Sequence, residues 1–181
     1  MINFKQFFEQ QQRIEIVAIL PGGFKPPTKG HFAALENLLQ SADKGVIFIG
    51  SSSRDGIDQE MSYQIWNIYK PYLSKSIHIE KSTSPVTSTY NLVTDNKDVS
   101  FVVGVGPENG KRDTRYDSFR KNKEKYPNVS IVDIPLSGEG VRGTTVREKI
   151  VAKDPTVVDY FVPQQIKETD RERIAGILNL A

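Results

Sequence analysis

Along this chain, apolar residues gather in short unbroken runs, and between the runs they recur every three or four positions. Residues 13–20 (RIEIVAIL), 44–50 (KGVIFIG), 76–80, 99–105 (VSFVVGV) and 129–134 read as strands, and the continuous run at 44–50 as one buried on both faces. Phe32, Leu35, Leu38 and Leu39 sit at helical spacing within residues 29–40, and further helices are predicted over 62–73 and 86–94, after a polar loop over 51–61. Beyond a glycine-rich SGEGVRG stretch, residues 144–152 read as a helix and 164–180 as a terminal one beside the sheet. Phe4, Phe7 and Phe8 suggest a short amphipathic helix over 3–12. Helices alternating with short strands imply parallel pairing through right-handed crossovers. The expected fold class is therefore three-layer α/β/α, a Rossmann-like sheet of five parallel strands with extra C-terminal helices. The expected division is an N-terminal helical arm (1–12), the main domain (13–152) and a helical extension (153–181) on that same domain.

Length and composition narrow the classes of function. A chain of 181 residues suits one hydrophobic core, and 38% hydrophobic against 25% charged residues is too apolar for a disordered chain. With 24 Lys and Arg against 22 Asp and Glu, the net charge of +2 supplies no global attraction to nucleic acid or an anionic membrane, so neither is an expected partner and any basic site is local. The absence of cysteine excludes disulfides, thiolate nucleophiles and cysteine-bound zinc, and suits a cytoplasmic location. No apolar run is long enough for a signal peptide or a membrane span.

Chemistry concentrates just after the first strand, where open α/β sheets bind ligands. The segment PGGFKPPTKGH (residues 21–31) combines Gly22 and Gly23, which let backbone approach a phosphate, with stiffening prolines and a helix start near Lys29 that aims free amides at an anion. His31 in the first helical turn can donate to a phosphate oxygen, and Thr28 offers a hydroxyl near the N-cap. Taken singly, each has a plainer reading, a packed histidine and an ordinary helix cap. Together the residues closely resemble the T/H-x-G-H signature of the nucleotidyltransferase superfamily, phosphopantetheine adenylyltransferases in particular, and the P-P-T-x-G-H stretch is similar to one in nucleotidyltransferases of large tailed bacteriophages.

That superfamily has a second signature, I-S-S-T-x-x-R, at the start of a late helix, and residues 141–147 (VRGTTVR) resemble it in part. Thr144 and Arg147 are kept, whereas Arg142 and Gly143 stand where serines are usual. Glycines at 138, 140 and 143 still free the backbone for a second phosphate site. The resemblance implies an enzyme that transfers a nucleotidyl group, adenylyl first and cytidylyl second, from ATP or CTP to a phosphate-bearing small molecule with release of pyrophosphate. It implies catalytic roles for His31, Thr28 and Lys25, nucleotide binding by Gly22, Gly23, Phe24, Gly30, His31, Gly143, Thr144, Thr145 and Arg147, and magnesium carried mainly by the nucleotide, with no protein metal site. The reading of another class is a nucleotide-binding or regulatory module that has lost turnover, which the altered second signature favours.

Other candidates are weaker. Arg54 lies near the place where family members hold the acceptor's phosphate, Arg112 and Arg115 follow the fourth strand in a basic stretch, and Arg142 belongs to the second loop; each also reads as a solvated surface cation. Ser84, Pro85 and Val86 are at the position of an acceptor loop, and His78 reads as structural. Gly104, Gly106 and Gly110 with Asp133 loosely resemble a dinucleotide fingerprint, but they follow the fourth strand, not the first. The identity of the acceptor is not legible, and the sequence leaves room for a homo-oligomer.

Overall fold

The computed structural model describes residues 14–108, 110–135 and 141–180. The expected helix over 3–12 and the residues Gly138, Glu139 and Gly140 lie outside the described residues. Five strands form the sheet: β1 (Ile16–Gly22), β2 (Lys44–Gly50), β3 (Ile77–Ser82), β4 (Ser100–Val105) and β5 (Val129–Asp133). Their order is β3-β2-β1-β4-β5, every pairing parallel. Helices α1 (Lys29–Leu39), α2 (Gln59–Tyr69), α3 (Pro85–Asp95), α4 (Asp117–Lys121), α5 (Gly143–Val151), α6 (Val157–Phe161) and α7 (Glu168–Ile177) complete the described elements.

The period-two geometry of strands divides the apolar residues between two cores. Ala18, Leu20, Ile47, Ile49 and Val102 face one cluster with Phe32 and Leu35 of α1, Trp66 and Tyr69 of α2, and Val146, Phe161 and Ile174 of the C-terminal helices. Their strand neighbours Val17, Ile19, Phe48, Phe101, Val103 and Val105 face the other, with Val93 of α3 and Phe119 of α4. The expected three-layer α/β/α architecture is therefore observed. The crossovers leave β1 in one direction to reach β2 and β3 and in the other to reach β4 and β5, so the sheet's switch point lies between β1 and β4, above which a ligand crevice opens in folds of this kind.

Three boundaries differ from the sequence expectation. Pro21 and Gly22, read as loop, continue β1 opposite Phe48 and Ile49. The β4 pairing of β1 ends at Ile19, so a missing N–H on that flank interrupts no ladder. Helix α2 starts at Gln59 because Asp58 caps it, its side chain accepting from the Met61 amide, and Pro71 limits its end to a 3-10 turn over Lys70–Tyr72. The single helix expected over 164–180 starts only at Glu168. Pro163 disfavours helical backbone at Val162, which is extended (φ −79, ψ 140) and ends α6, while the Arg171 side chain donates to the Pro163 and Ile166 carbonyls and holds the intervening turn.

Candidate functional site

At the top of β1 the chain turns sharply. Phe24 adopts a left-handed backbone (φ 52) and its ring folds back over Gly22, where an added Cβ would lie 2.8 Å from the ring. Glycine at 22 is therefore a steric requirement of this loop. The Phe24 ring meets the edges of His31 (centroids 5.1 Å apart) and Trp66 (5.5 Å), and α2 fixes the loop's backbone: Ser62 Oγ donates to the Phe24 carbonyl and Tyr69 Oη to the Pro27 carbonyl. The Lys25–Pro26 peptide is cis. Residues 24–28 are all buried, while Gly23 is exposed at the crest.

His31 and Thr28 form a reciprocal box at the start of α1, in which the ring Nδ1 accepts from the Thr28 amide at 3.0 Å. That bond assigns the neutral ring's proton to Nε2. Burial lowers the His31 pKa to about 4, so near neutrality the ring is an uncharged donor. Lys25 points inward: its Nζ donates to the carbonyl of Gly23 and to that of Gly50 (3.1 Å), bridging the ends of β1 and β2. Burial pushes its pKa down to about 8, opposed by the charge of Asp58 and assisted by that of Arg54.

The second loop comes to the same place. Arg142 is exposed at the N-cap of α5, Gly143 is its first residue, Thr144 is exposed and Thr145 half-buried. Arg147, one turn in, reaches across to the first loop: Nη1 donates to the Lys25 carbonyl (3.3 Å), Nη2 to Thr144 Oγ1 (3.3 Å) and Nε to Asp55 Oδ2 (2.7 Å). A Cβ on Gly143 would lie 3.1 Å from Nη1. Gly143 is thus in close contact with the guanidinium, and a side chain there would require the arginine to shift by a few tenths of an ångström.

The remaining candidates are spread around this pair. Arg54 is exposed in a turn whose backbone pairs with Ile57. Arg112 and Arg115, above β4, are held by acids, Arg112 by Asp117 and Arg115 by Asp113 and Glu108. Ser84 caps α3 by accepting from the Thr87 amide, and Pro85 lies 3.5 Å from where a Cβ of Gly50 would be, beside the first loop. Gly104 is a packing glycine, since a Cβ there would stand 2.5 Å from Leu38. His78 is exposed on the edge strand, 3.8 Å from Glu80. Sequence reasoning overlooked Asp55, Ser62 and Tyr69. Ser62 and Tyr69 lie within the predicted 62–73 helix, but nothing local reports what lies above that helix, and Asp55 reads as an ordinary Asp-Gly turn.

Among the described residues no cluster of three or more His, Asp or Glu is arranged to hold a metal ion, and no helix is long and apolar enough to cross a membrane. No protein-family model and no curated protein matches the sequence. Solved structures do match. Nicotinic acid mononucleotide adenylyltransferase from Plasmodium falciparum, complexed with APC, superposes with a TM-score of 0.57 over 92% of this chain and 98% of its own, at 14% identity. A bifunctional NMN adenylyltransferase/ADP ribose pyrophosphatase from Francisella tularensis, complexed with AMP and a manganese ion, gives 0.58 over 92% of this chain and 51% of its own, at 13% identity. TmcAL from Thermotoga maritima, bound with alpha-thio ATP, gives 0.55 over 90% and 55%, at 14% identity. At such identities the shared property is the fold.

Proposed function

We propose that the protein is a nucleotidyltransferase that moves an adenylyl group from ATP to a phosphate-bearing small molecule and releases pyrophosphate. The observation that carries this reading is the hydrogen bond from Arg147 to the Lys25 carbonyl, which brings the residues that resemble the two signatures side by side at the carboxyl end of β1, next to the sheet's switch point. ATP is favoured over CTP because the first signature resembles the adenylyl branch and because neighbours of the same fold are complexed with AMP or alpha-thio ATP.

An oxygen of the acceptor's phosphate attacks the α-phosphorus of ATP in line, the bond from that phosphorus to the oxygen bridging to the β-phosphate breaks, and pyrophosphate leaves with the electron pair. A phosphate oxygen is already anionic at neutral pH, so no general base is required. The chain's contribution is positioning and charge stabilisation. His31 Nε2–H donates to the α-phosphoryl oxygen without itself titrating. Gly22, Gly23, Gly30 and the amides at the start of α1 receive the phosphates there. Gly143, Thr144, Thr145 and Arg147 receive the β- and γ-phosphates at the start of α5. Thr28 orients His31, the buried charge of Lys25 lies behind the loop and adds to the field, and Phe24 supports the His31 ring from below. Magnesium would come with the triphosphate and help to neutralise its charge; among the described residues there is no group of three or more His, Asp or Glu that could hold it. Arg54, Arg142 and the Ser84 cap are the groups nearest the acceptor's side. Arg112 and Arg115 reach phosphate only by leaving their acidic partners.

Pyrophosphate release measured with ATP, CTP, GTP and UTP against a panel of phosphorylated acceptors tests the reading. Release with ATP and one acceptor is expected. Faster release with CTP reassigns the nucleotide, and tight nucleotide binding without release for any pair makes the protein a binding module.

A further inference from the structure

We propose that Asp55 is a positioning residue: its carboxylate holds the Arg147 guanidinium in register over the first loop, so that the arginine meets the triphosphate already oriented. A guanidinium has five N–H donors. In Arg147 one is taken by Asp55, one by the Lys25 carbonyl and one by Thr144, which leaves two for an anion. Of the three partners, Asp55 is the anionic one, and its bond at 2.7 Å is the shortest, as charge-assisted bonds are. The Arg147 side chain, one turn into α5, is only 14% exposed, so the guanidinium is held against the protein.

Asp55 is itself held firmly. Asp55 (φ 49) and Gly56 (φ 80) both have left-handed backbone, the combination required by the tightest two-residue turns, and reciprocal backbone bonds between Arg54 and Ile57 (3.0 and 2.9 Å) close that turn. Ile57 is 1% exposed and anchors the turn in the core, and Asp58 immediately caps α2. The same helix, through Ser62, grips the Phe24 carbonyl of the first loop. Asp55 therefore refers the second loop's arginine to the element that fixes the first loop, across 92 residues of sequence.

This inference rests on the transfer reading only in that Arg147 meets the triphosphate. The experiment compares Asp55→Gly, which removes the carboxylate yet suits the left-handed backbone, with Asp55→Asn, which keeps an oxygen acceptor and also tolerates that backbone. In the ligand-free protein the Arg147 Nε–H signal should be protected from exchange with water, and Asp55→Gly should lose that protection while the melting temperature stays within a few degrees. In turnover, Asp55→Gly should lower kcat about tenfold, the scale expected of a misaligned group, with KM for ATP unchanged or lower because a neighbouring negative charge has gone. Asp55→Asn should recover most of kcat, and in an Arg147→Ala background Asp55→Gly should cost nothing further. An equally mobile Nε–H in wild type and Asp55→Gly overturns the positioning role, as does a kcat within twofold of wild type or an undiminished loss in the Arg147→Ala background. A wild type that releases no pyrophosphate overturns the transfer reading instead, and the exchange measurement still decides the positioning.

Discussion

From Phe24 to Thr28 the first loop is buried residue after residue, its Phe24 and Pro27 carbonyls tied by Ser62 and Tyr69, the Gly23 carbonyl just before it by Lys25, and its one aromatic wedged between His31 and Trp66. In the described part of the second loop, residues 141–147, Val146 alone is buried, and the link to the first loop is the Arg147 side chain. Both loops lead into a helix N-terminus, and both suit phosphate. The difference lies in how the described residues are held: those of the first loop are packed one after another on the core, whereas residues 141–147 rest on it through Val141 and Val146 and reach the first loop through the polar contacts of Arg147. In the proposed transfer, chemistry at the α-phosphorus needs fixed geometry whereas a departing pyrophosphate has to be released, and the deeper burial of the first loop suits the first of these tasks.

The largest effect should come from cutting the support under the first loop. Trp66 is fully buried and its ring contacts Phe24 and Tyr69, so Trp66→Ala should cost about 3–5 kcal/mol in chemical denaturation. Any protein that still folds should have lost turnover, because the Phe24 and His31 rings lose their backing together. A variant that melts normally and turns over normally would mean that the first loop is not built from below. Next comes His31, the group proposed for the reaction centre. His31→Ala should lower kcat by about 10²–10³-fold, the range found when one donor to a developing oxyanion is removed, with ATP affinity changed far less. A loss within a few-fold would remove His31 from the chemistry.

The pH profile sharpens the same contrast. His31, held neutral down to about pH 4, should leave turnover flat through 6.5, where an ordinary histidine titrates. Lys25, pushed down to about 8 by burial, should give a basic limb in kcat beginning there, steepening towards tenfold per pH unit. The folded state binds fewer protons than the unfolded chain between about 8 and the usual lysine value of 10.5, so this residue's contribution to stability rises with pH over the same window. Activity falling while Lys25's contribution to denaturant resistance does not fall therefore separates loss of its charge from unfolding. An inflection at 6.5, or none at 8, would contradict the burial of these two groups.

How far the sequence carried the argument follows from the same physics. The central strands were legible because parallel strands buried on both faces leave continuous apolar runs, the edge strands β3 and β5, with exposed His78, Glu80, Val132 and Asp133, through their place between helical patterns, and the first loop because Gly, Pro, Thr and His each have a local reason to stand where they do. The strand's extension through Pro21 was not legible, since it depends on where β1 parts from β4. Nor was the break at 162–167, where Pro163 acts together with Arg171 from a helix that follows. Asp55 and Ser62 were invisible for one reason: their partners are 92 and 38 residues away. Local pattern identifies elements and capped loops, and tertiary partners of single polar groups lie beyond it.

The smallest predicted effects set one hydroxyl under the first loop against one in the second. Ser62 is fully buried and its single O–H donates to the Phe24 carbonyl, with the Asp58 carbonyl 3.0 Å away, so Ser62→Ala strips a donor from a buried acceptor and should cost about 1–3 kcal/mol. Thr144 is exposed and its hydroxyl accepts one 3.3 Å bond from Arg147, so Thr144→Ala should change stability by no more than about 0.5 kcal/mol. Its effect should instead be on KM for ATP, by a few-fold, because the contact it removes is to Arg147, the group proposed to meet the triphosphate. Paired urea titrations and ATP-dependent kinetics on the two variants read this directly. Equal stability losses would mean that the second loop is as deeply anchored as the first, and the proposed separation between a rigid reacting side and a releasing side would have no structural basis.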